Sequence, residues 1–305
     1  MEKSSSSSRL LAIFLVLLGG ASYGLLSPLV KSAYHAGFSA EDVTSSQFTA
    51  AMLVIWIGAF FRIKQFRLLT RRDLGILAII GVLSTGTTLF YYTSLVWLPA
   101  SLAIVLLFQF TWVTMLIDFL VTRKKPTIHR WIALALILAG TVMAVNLWHE
   151  EWGNVSLLGL ILGILSAVSY SLFLYVNGRI RSKAPAIVNS AVLVTTSAVT
   201  IYFVFPPAFL WNGTLPQGLW VWAFLIGCLG QVIPPVLFTI GIPKIGGSLA
   251  AVLGAIELPV GVVASFLILR EPILLIQWMG VLLILGGMIV AQWQPGKRKL
   301  SAAKP

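Results

Sequence analysis

The chain has 305 residues, of which 58% are apolar and only 10% charged, with a formal charge of +12. A soluble domain carries about 25% charged residues, so this composition excludes that class. The basic residues lie in short loops beside apolar blocks, where they act as topology signals, so the positive charge does not point to nucleic acid.

In chain order, a short polar tail at 1–9 holds Lys3, a run of serines and Arg9. The apolar run behind it continues to about Val30, too long for the apolar core of a signal peptide, and reads as a retained first helix. Apolar blocks then cover 10–33, 43–61, 74–96, 100–121, 129–148, 156–178, 187–207, 219–242, 248–269 and 274–293. Each is close to the ~20 residues needed to cross ~30 Å of hydrocarbon at 1.5 Å per residue. The expectation is ten spans joined by short loops, so neighbours run antiparallel. A basic tail occupies 295–305. Cys228, the single cysteine, sits inside a block and reads as an apolar filler.

Loop charge sets the orientation. With the N-terminus inside, 19 Lys and Arg fall on the inner side and only Lys31 and Arg270 on the outer side. The expectation is a multi-pass protein of the cell (cytoplasmic) membrane with both termini cytoplasmic.

Shifted by 147 residues, 101–145 aligns without a gap to 248–292. Ser101-Leu102-Ala103 meets Ser248-Leu249-Ala250, Phe119-Leu120 meets Phe266-Leu267, Arg123 meets Arg270, Trp131 meets Trp278 and Gly140 meets Gly287. The same shift places Ser22-Tyr23 on Ser169-Tyr170. Repeats of five spans, at 10–150 and 151–294, have an odd span count, so the second is inserted upside down. The basic loop at 62–72 has an uncharged partner at 209–219, as inversion requires. The fold class expected is all-α membrane protein, ten transmembrane helices as two inverted five-helix repeats. In such folds the binding site lies between the halves near mid-membrane.

The segment REPILLIQWMGVLLILGG at 270–287, with Glu271, Gln277, Gly280 and Gly287, resembles the end of the repeat in the drug/metabolite transporter (DMT) superfamily, specifically its EamA-type members. The segment SLAAVLGAIELPVGVVASFLIL upstream resembles that family's penultimate helix. The first repeat departs from it, with Lys124 in place of the Glu and Trp112 near the expected proline. The second span has Gln47 where many relatives carry Arg, and Leu258 separates Glu257 from Pro259. The resemblance implies a secondary transporter, often an exporter of amino acids, other metabolites or drugs.

Polar groups in hydrocarbon cost several kcal/mol unless partnered, so each one marks either a structural bond or a site. Glu257 lies near the middle of the ninth span with no charged residue within ten positions, followed by Pro259. It can bind a proton or pair with a cationic substrate group. Gln109 in the fourth span is the repeat mate of Ile256, which puts it at comparable depth. Gln231 precedes Pro234-Pro235, which leave carbonyls of the preceding turn without donors, and such broken helices line cavities. Tyr23, Ser27, Tyr91, Trp112, Tyr170 and Tyr175 complete the expected transport path. Tyr92 and Trp97 fit an outer interfacial belt equally well. Asp118 is expected to pair locally with Arg123.

The expected activity is alternating-access transport of a small amino-acid-like or related metabolite, exported and proton-coupled through Glu257. The alternatives are efflux of drugs or cationic compounds and, in a different class, a channel or sensor. An enzyme would need clustered His, Asp or Cys, whereas His35, His129 and His149 are scattered over loops on both sides. No catalytic residue, cofactor or metal is expected. The partners are a small-molecule substrate and the lipid bilayer, and the assembly a monomer or homodimer.

Overall fold

A computed structural model describes residues 2–94, 97–98, 100–123, 125–146, 156–270 and 272–292. Lys124, Glu271, the loop containing Asn154 and the basic C-terminal tail lie outside the described residues. The described chain is helical and forms ten spans. Span 1 is Glu2–Gly24 continued by Leu26–His35, span 2 Ala40–Phe60, span 3 Arg71–Ser94, span 4 Ala100–Leu107 with Phe110–Thr122, and span 5 Ile128–Ala144. Span 6 is Leu157–Asn177 and span 7 Ala186–Tyr202. Span 8 runs from Leu215 to Ile245 through a π-helical turn at Cys228–Val232. Span 9 is Gly247–Gly254 with Glu257–Leu269, and span 10 is Leu275–Gln292. Seven of these are long and apolar enough to cross a membrane by themselves, and spans 5, 7 and 10 are shorter apolar helices.

Large apolar side chains such as Leu53, Ile57, Phe60, Leu157 and Leu282 are exposed on the outside, as lipid-facing surfaces require. Many serine and threonine hydroxyls inside are satisfied on the preceding turn of their own helices. Thr141 donates to the carbonyl of Ile137, Thr114 to that of Phe110 and Ser171 to that of Ala167.

The two halves interleave. Span 1 packs on span 8, span 3 on span 6, spans 2 and 3 on span 7, and span 5 on span 10, so one core is shared. The seam between spans 5 and 10 shows the relation between the halves. A Cβ at Gly140 would lie 2.7 Å from the Gly280 carbonyl oxygen, and one at Gly287 would lie 2.9 Å from that of Ala133. The contacts advance in opposite directions, so these two equivalent helices are antiparallel, which is inversion. Ala133 and Gly280 are themselves repeat mates, as are Gly140 and Gly287. Two hydrogen bonds near the centre have repeat mates as donors, with acceptors one residue out of register. Ser22 Oγ donates to the Leu229 carbonyl at 2.6 Å, and its mate Ser169 Oγ donates to the Leu83 carbonyl at 2.8 Å.

Close helix packing accounts for Gly19, Gly20 and Gly140, where an added methyl meets Phe238, Ile256 and the Gly280 backbone. Gly286 is different: an added Cβ meets nothing within 4 Å. Asp118 also differs from its local expectation. Its carboxylate lies 4.0 Å from Arg130 across the turn, not beside Arg123, and Arg130 also donates to Ser248 Oγ. The exposed Arg123 takes a left-handed conformation at the end of span 4, φ 58°, which turns it away from its own helix.

Candidate functional site

The interruptions in spans 1, 4, 8 and 9 converge on a cavity. In span 9 the cause is Pro259, which has no N–H to give the Ala255 carbonyl, and the chain tightens into i→i+3 bonds at Ala255 and Ile256. Span 4 breaks at the equivalent place without a proline. There the Gln109 amide N–H bonds the Leu106 carbonyl at 3.1 Å instead of that of Val105. Gln109 Nε2 takes the orphaned Val105 carbonyl at 2.9 Å, and Trp112 Nε1 donates to Gln109 Oε1 at 2.8 Å. Both side chains are thereby committed to repairing a broken helix.

The cavity has a volume of about 130 Å³ and is lined by Tyr23, Ser27, Tyr91, Tyr170, Gln231 and Glu257 among the expected residues. An adjoining lobe of about 280 Å³ shares Tyr23, Ser27, Tyr91, Ile104 and Glu257, and runs along span 9 to Ser265, Pro272, Ile273 and Gln277 at the end of the molecule. Gln277 also closes the start of span 10: its Oε1 accepts from the Leu274 N–H and its Nε2 donates to the Ala144 carbonyl of span 5. Glu257 is the one charged residue in either wall among the described residues. Its side chain is half-buried and makes no hydrogen bond or ion pair with a described residue. Two further polar atoms are left open. Tyr170 Oη and Gln231 Oε1 are buried without a hydrogen-bond partner among the described residues.

Toward the opposite end the path is shut by rings. Tyr170 packs edge-on against Phe110 at 4.6 Å between centroids and stacks on Phe173 at 5.7 Å, and Phe173 meets Phe238 at 6.3 Å. Tyr23 closes the cluster against Phe238 and Tyr170. Applying the 147-residue shift, Phe110, Tyr170, Phe173 and Phe238 are the repeat mates of Glu257, Tyr23, Leu26 and Tyr91. The first four form the seal, and the second four line the open cavity.

Gln109, Trp112 and Tyr175 are not brought to the cavity wall. Tyr175 sits one turn from the end of span 6, where its hydroxyl accepts a bond from Arg179 and its ring lies under that guanidinium. Conversely, Gln47, Ser84, Thr87, Thr88 and Tyr92 do line the cavity. Tyr92 is therefore a wall residue and not part of an interfacial belt. A signal for span 3 was present: Ser84, Thr87, Thr88 and Tyr91 recur at i, i+3, i+4 and i+7, a polar stripe on one helix face.

The profile of the EamA-like transporter family matches residues 10–146 and 157–292. A protein of Synechocystis sp. described as an uncharacterized transporter is 26% identical over 197 residues, 63% of this chain and 59% of that protein. One from Archaeoglobus fulgidus, also described as an uncharacterized transporter, is 27% identical over 169 residues, 55% and 58% of the two chains. The chain thus aligns with less than two thirds of the length of these relatives. A solved crystal structure superimposes with a TM-score of 0.73 at 18% identity, covering 94% of this chain and 96% of that one, a likeness of fold.

Proposed function

This chain belongs to the EamA-like transporter family, a family of multi-pass membrane transporters, and on that premise we propose that it exports a small amino-acid-like metabolite through its amine, in exchange for protons. The observation that carries this reading is Glu257, a carboxylate with no hydrogen-bond or ion-pair partner among the described residues, facing a cavity whose other polar groups are hydroxyls and amides. A protonated amine of the substrate offers the opposite charge, and the faces of Tyr23, Tyr91 and Tyr92 add cation–π attraction. One carboxylate that holds either a proton or an amine makes the two compete for one site, which couples their movements in opposite directions.

The repeat supports the coupling. In the state facing the other way, the halves exchange roles, and Glu257 takes the place Phe110 holds here. Phe110 is fully buried against Tyr170. An ionised carboxylate in such a place costs several kcal/mol. Closure over Glu257 therefore requires a proton or a cationic ligand, and the empty charged carrier stays open. With both termini cytoplasmic in the cell membrane, the cavity seen here faces outward, the state in which an exporter releases substrate and takes up a proton.

A second reading, efflux of drugs or organic cations, is favoured by the absence of Lys or Arg from the walls among the described residues, which leaves a substrate carboxylate without a cation. Purified protein in liposomes with an imposed pH gradient tests both. Gradient-driven accumulation of amino compounds is expected, and Glu257→Gln is expected to abolish it while the protein still folds. Full gradient-driven transport by that variant removes the proton role. Competition between an amino acid and its amide separates the substrates: stronger inhibition by the amide selects the cationic class.

A further inference from the structure

A second concave site lies on the lipid side of the molecule, away from the transport path. Spans 4 and 5 diverge to leave a groove of about 590 Å³. Its walls include Trp112 and Trp131, both exposed, and Phe119; its floor reaches the buried Met115 and Leu134, and Lys125 stands at its mouth. From Trp112 to Thr122, the last helical residue of span 4, the chain rises about 15 Å from mid-membrane toward the face, at 1.5 Å per residue. The groove is apolar throughout except for that one ammonium, which is exposed and makes no ion pair with a described residue. Arg130 nearby is already engaged by Asp118 and Ser248.

The repeat provides an internal control. The equivalent groove between spans 9 and 10 is about 430 Å³ and is lined by Pro259 for Trp112, Trp278 for Trp131 and Val281 for Leu134. Among the described residues no charged one lines it, and the mate of Lys125 is Pro272. Two grooves at equivalent places thus differ in the cation at the mouth.

We infer that the groove between spans 4 and 5 binds an acidic phospholipid of the bilayer, one acyl chain lying along Trp131 and Phe119 to Trp112 and the headgroup phosphate resting on Lys125. Charge complementarity selects this occupant: the mouth lies among the basic loops, where anionic headgroups gather, and the throat accepts only hydrocarbon. Its deep end touches Trp112, which is hydrogen-bonded to Gln109 at the break of span 4, directly before the sealing residue Phe110. Lipid occupancy therefore bears on the segment that holds the seal.

Native mass spectrometry of the full chain released from detergent, titrated with phosphatidylglycerol or phosphatidylcholine of equal chain length, tests this. The wild type is expected to retain phosphatidylglycerol more strongly. Lys125→Glu and Lys125→Ala are each expected to reduce that preference by about fivefold or more, the factor one Lys contributes near an anionic surface. Trp131→Ala is expected to weaken retention of both lipids, and Trp278→Ala to leave the preference unchanged. Equal retention of the two lipids, or a preference indifferent to Lys125, overturns the inference. So does a dimer that Trp131→Ala dissociates, because the groove is then covered by a second copy. Thermal melting of each variant establishes that it is folded, and the two Lys125 substitutions on an exposed side chain keep the test readable.

Discussion

The two halves place opposite chemistry at one equivalent position. In the first, Phe110 fills a sealed aromatic cluster with Tyr170; in the second, Glu257 faces an open cavity beside Tyr23. The backbones break at matching residues, and the flanking tyrosines are the same. In the proposed cycle, symmetry supplies two related packings, and the substitution of a carboxylate for a ring makes one of them conditional on neutralising a charge. Phe173 and Leu26, and Phe238 and Tyr91, also differ between the two clusters, but only the pair of Phe110 and Glu257 differs in charge.

Copying the first half into the second gives the largest expected effect. Glu257→Phe removes the charge that opposes closure, so exchange is expected to vanish and the cavity to stay shut. In a Cys228→Ser background, a cysteine replacing Ser265 in the second lobe reports this, with labelling by an aqueous thiol reagent expected to fall more than tenfold. Unchanged labelling means that Glu257 does not govern closure. Emptying the seal is next. Phe110→Ala is expected to cost about 3–5 kcal/mol, as large aromatic truncations in packed interiors do, and to raise passive leak through the liposome wall. Denaturation in mixed micelles and a dye-based leak assay check the two parts.

The symmetric seam comes third. Gly140→Ala and Gly287→Ala both push a methyl into a facing backbone, and each is expected to destabilise by about 1–3 kcal/mol. Gly286→Ala meets nothing and is expected to be neutral or slightly stabilising. The same denaturation measurement on all three decides whether the seam is as symmetric as its contacts. Smallest is the pair of central hydroxyls. Ser22→Ala and Ser169→Ala each delete one interhelical bond, about 0.6 kcal/mol in a membrane interior, and matched losses are expected. A large difference between them places the strain of the open state on one half.

The candidate site was legible only in part. Glu257, Gln231, Tyr23 and Tyr170 stand out because their polarity is out of place at mid-span, and all four reach the cavity. Gln109 and Trp112 stand out for the same reason, yet they serve the backbone of their own helix. Thr87 and Thr88 look unremarkable in sequence, because a threonine hydroxyl satisfies itself on the preceding turn, as both do here, and still presents a face to a cavity. Polarity alone does not distinguish a repair from a site.

The sequence by itself determined the spans, the duplication and the inversion. Hydrocarbon thickness fixes block length and an odd span count forces the second copy over; these are local or additive constraints that any stretch of chain expresses alone. Only the tertiary structure decided which face of each helix meets the cavity, which of two equivalent clusters is closed, and that Glu257 has no hydrogen-bond or ion-pair partner among the described residues. Those depend on how each helix is rotated about its axis. In a bilayer that rotation is set by packing against neighbouring helices, because lipid is as apolar as the side chains it competes with.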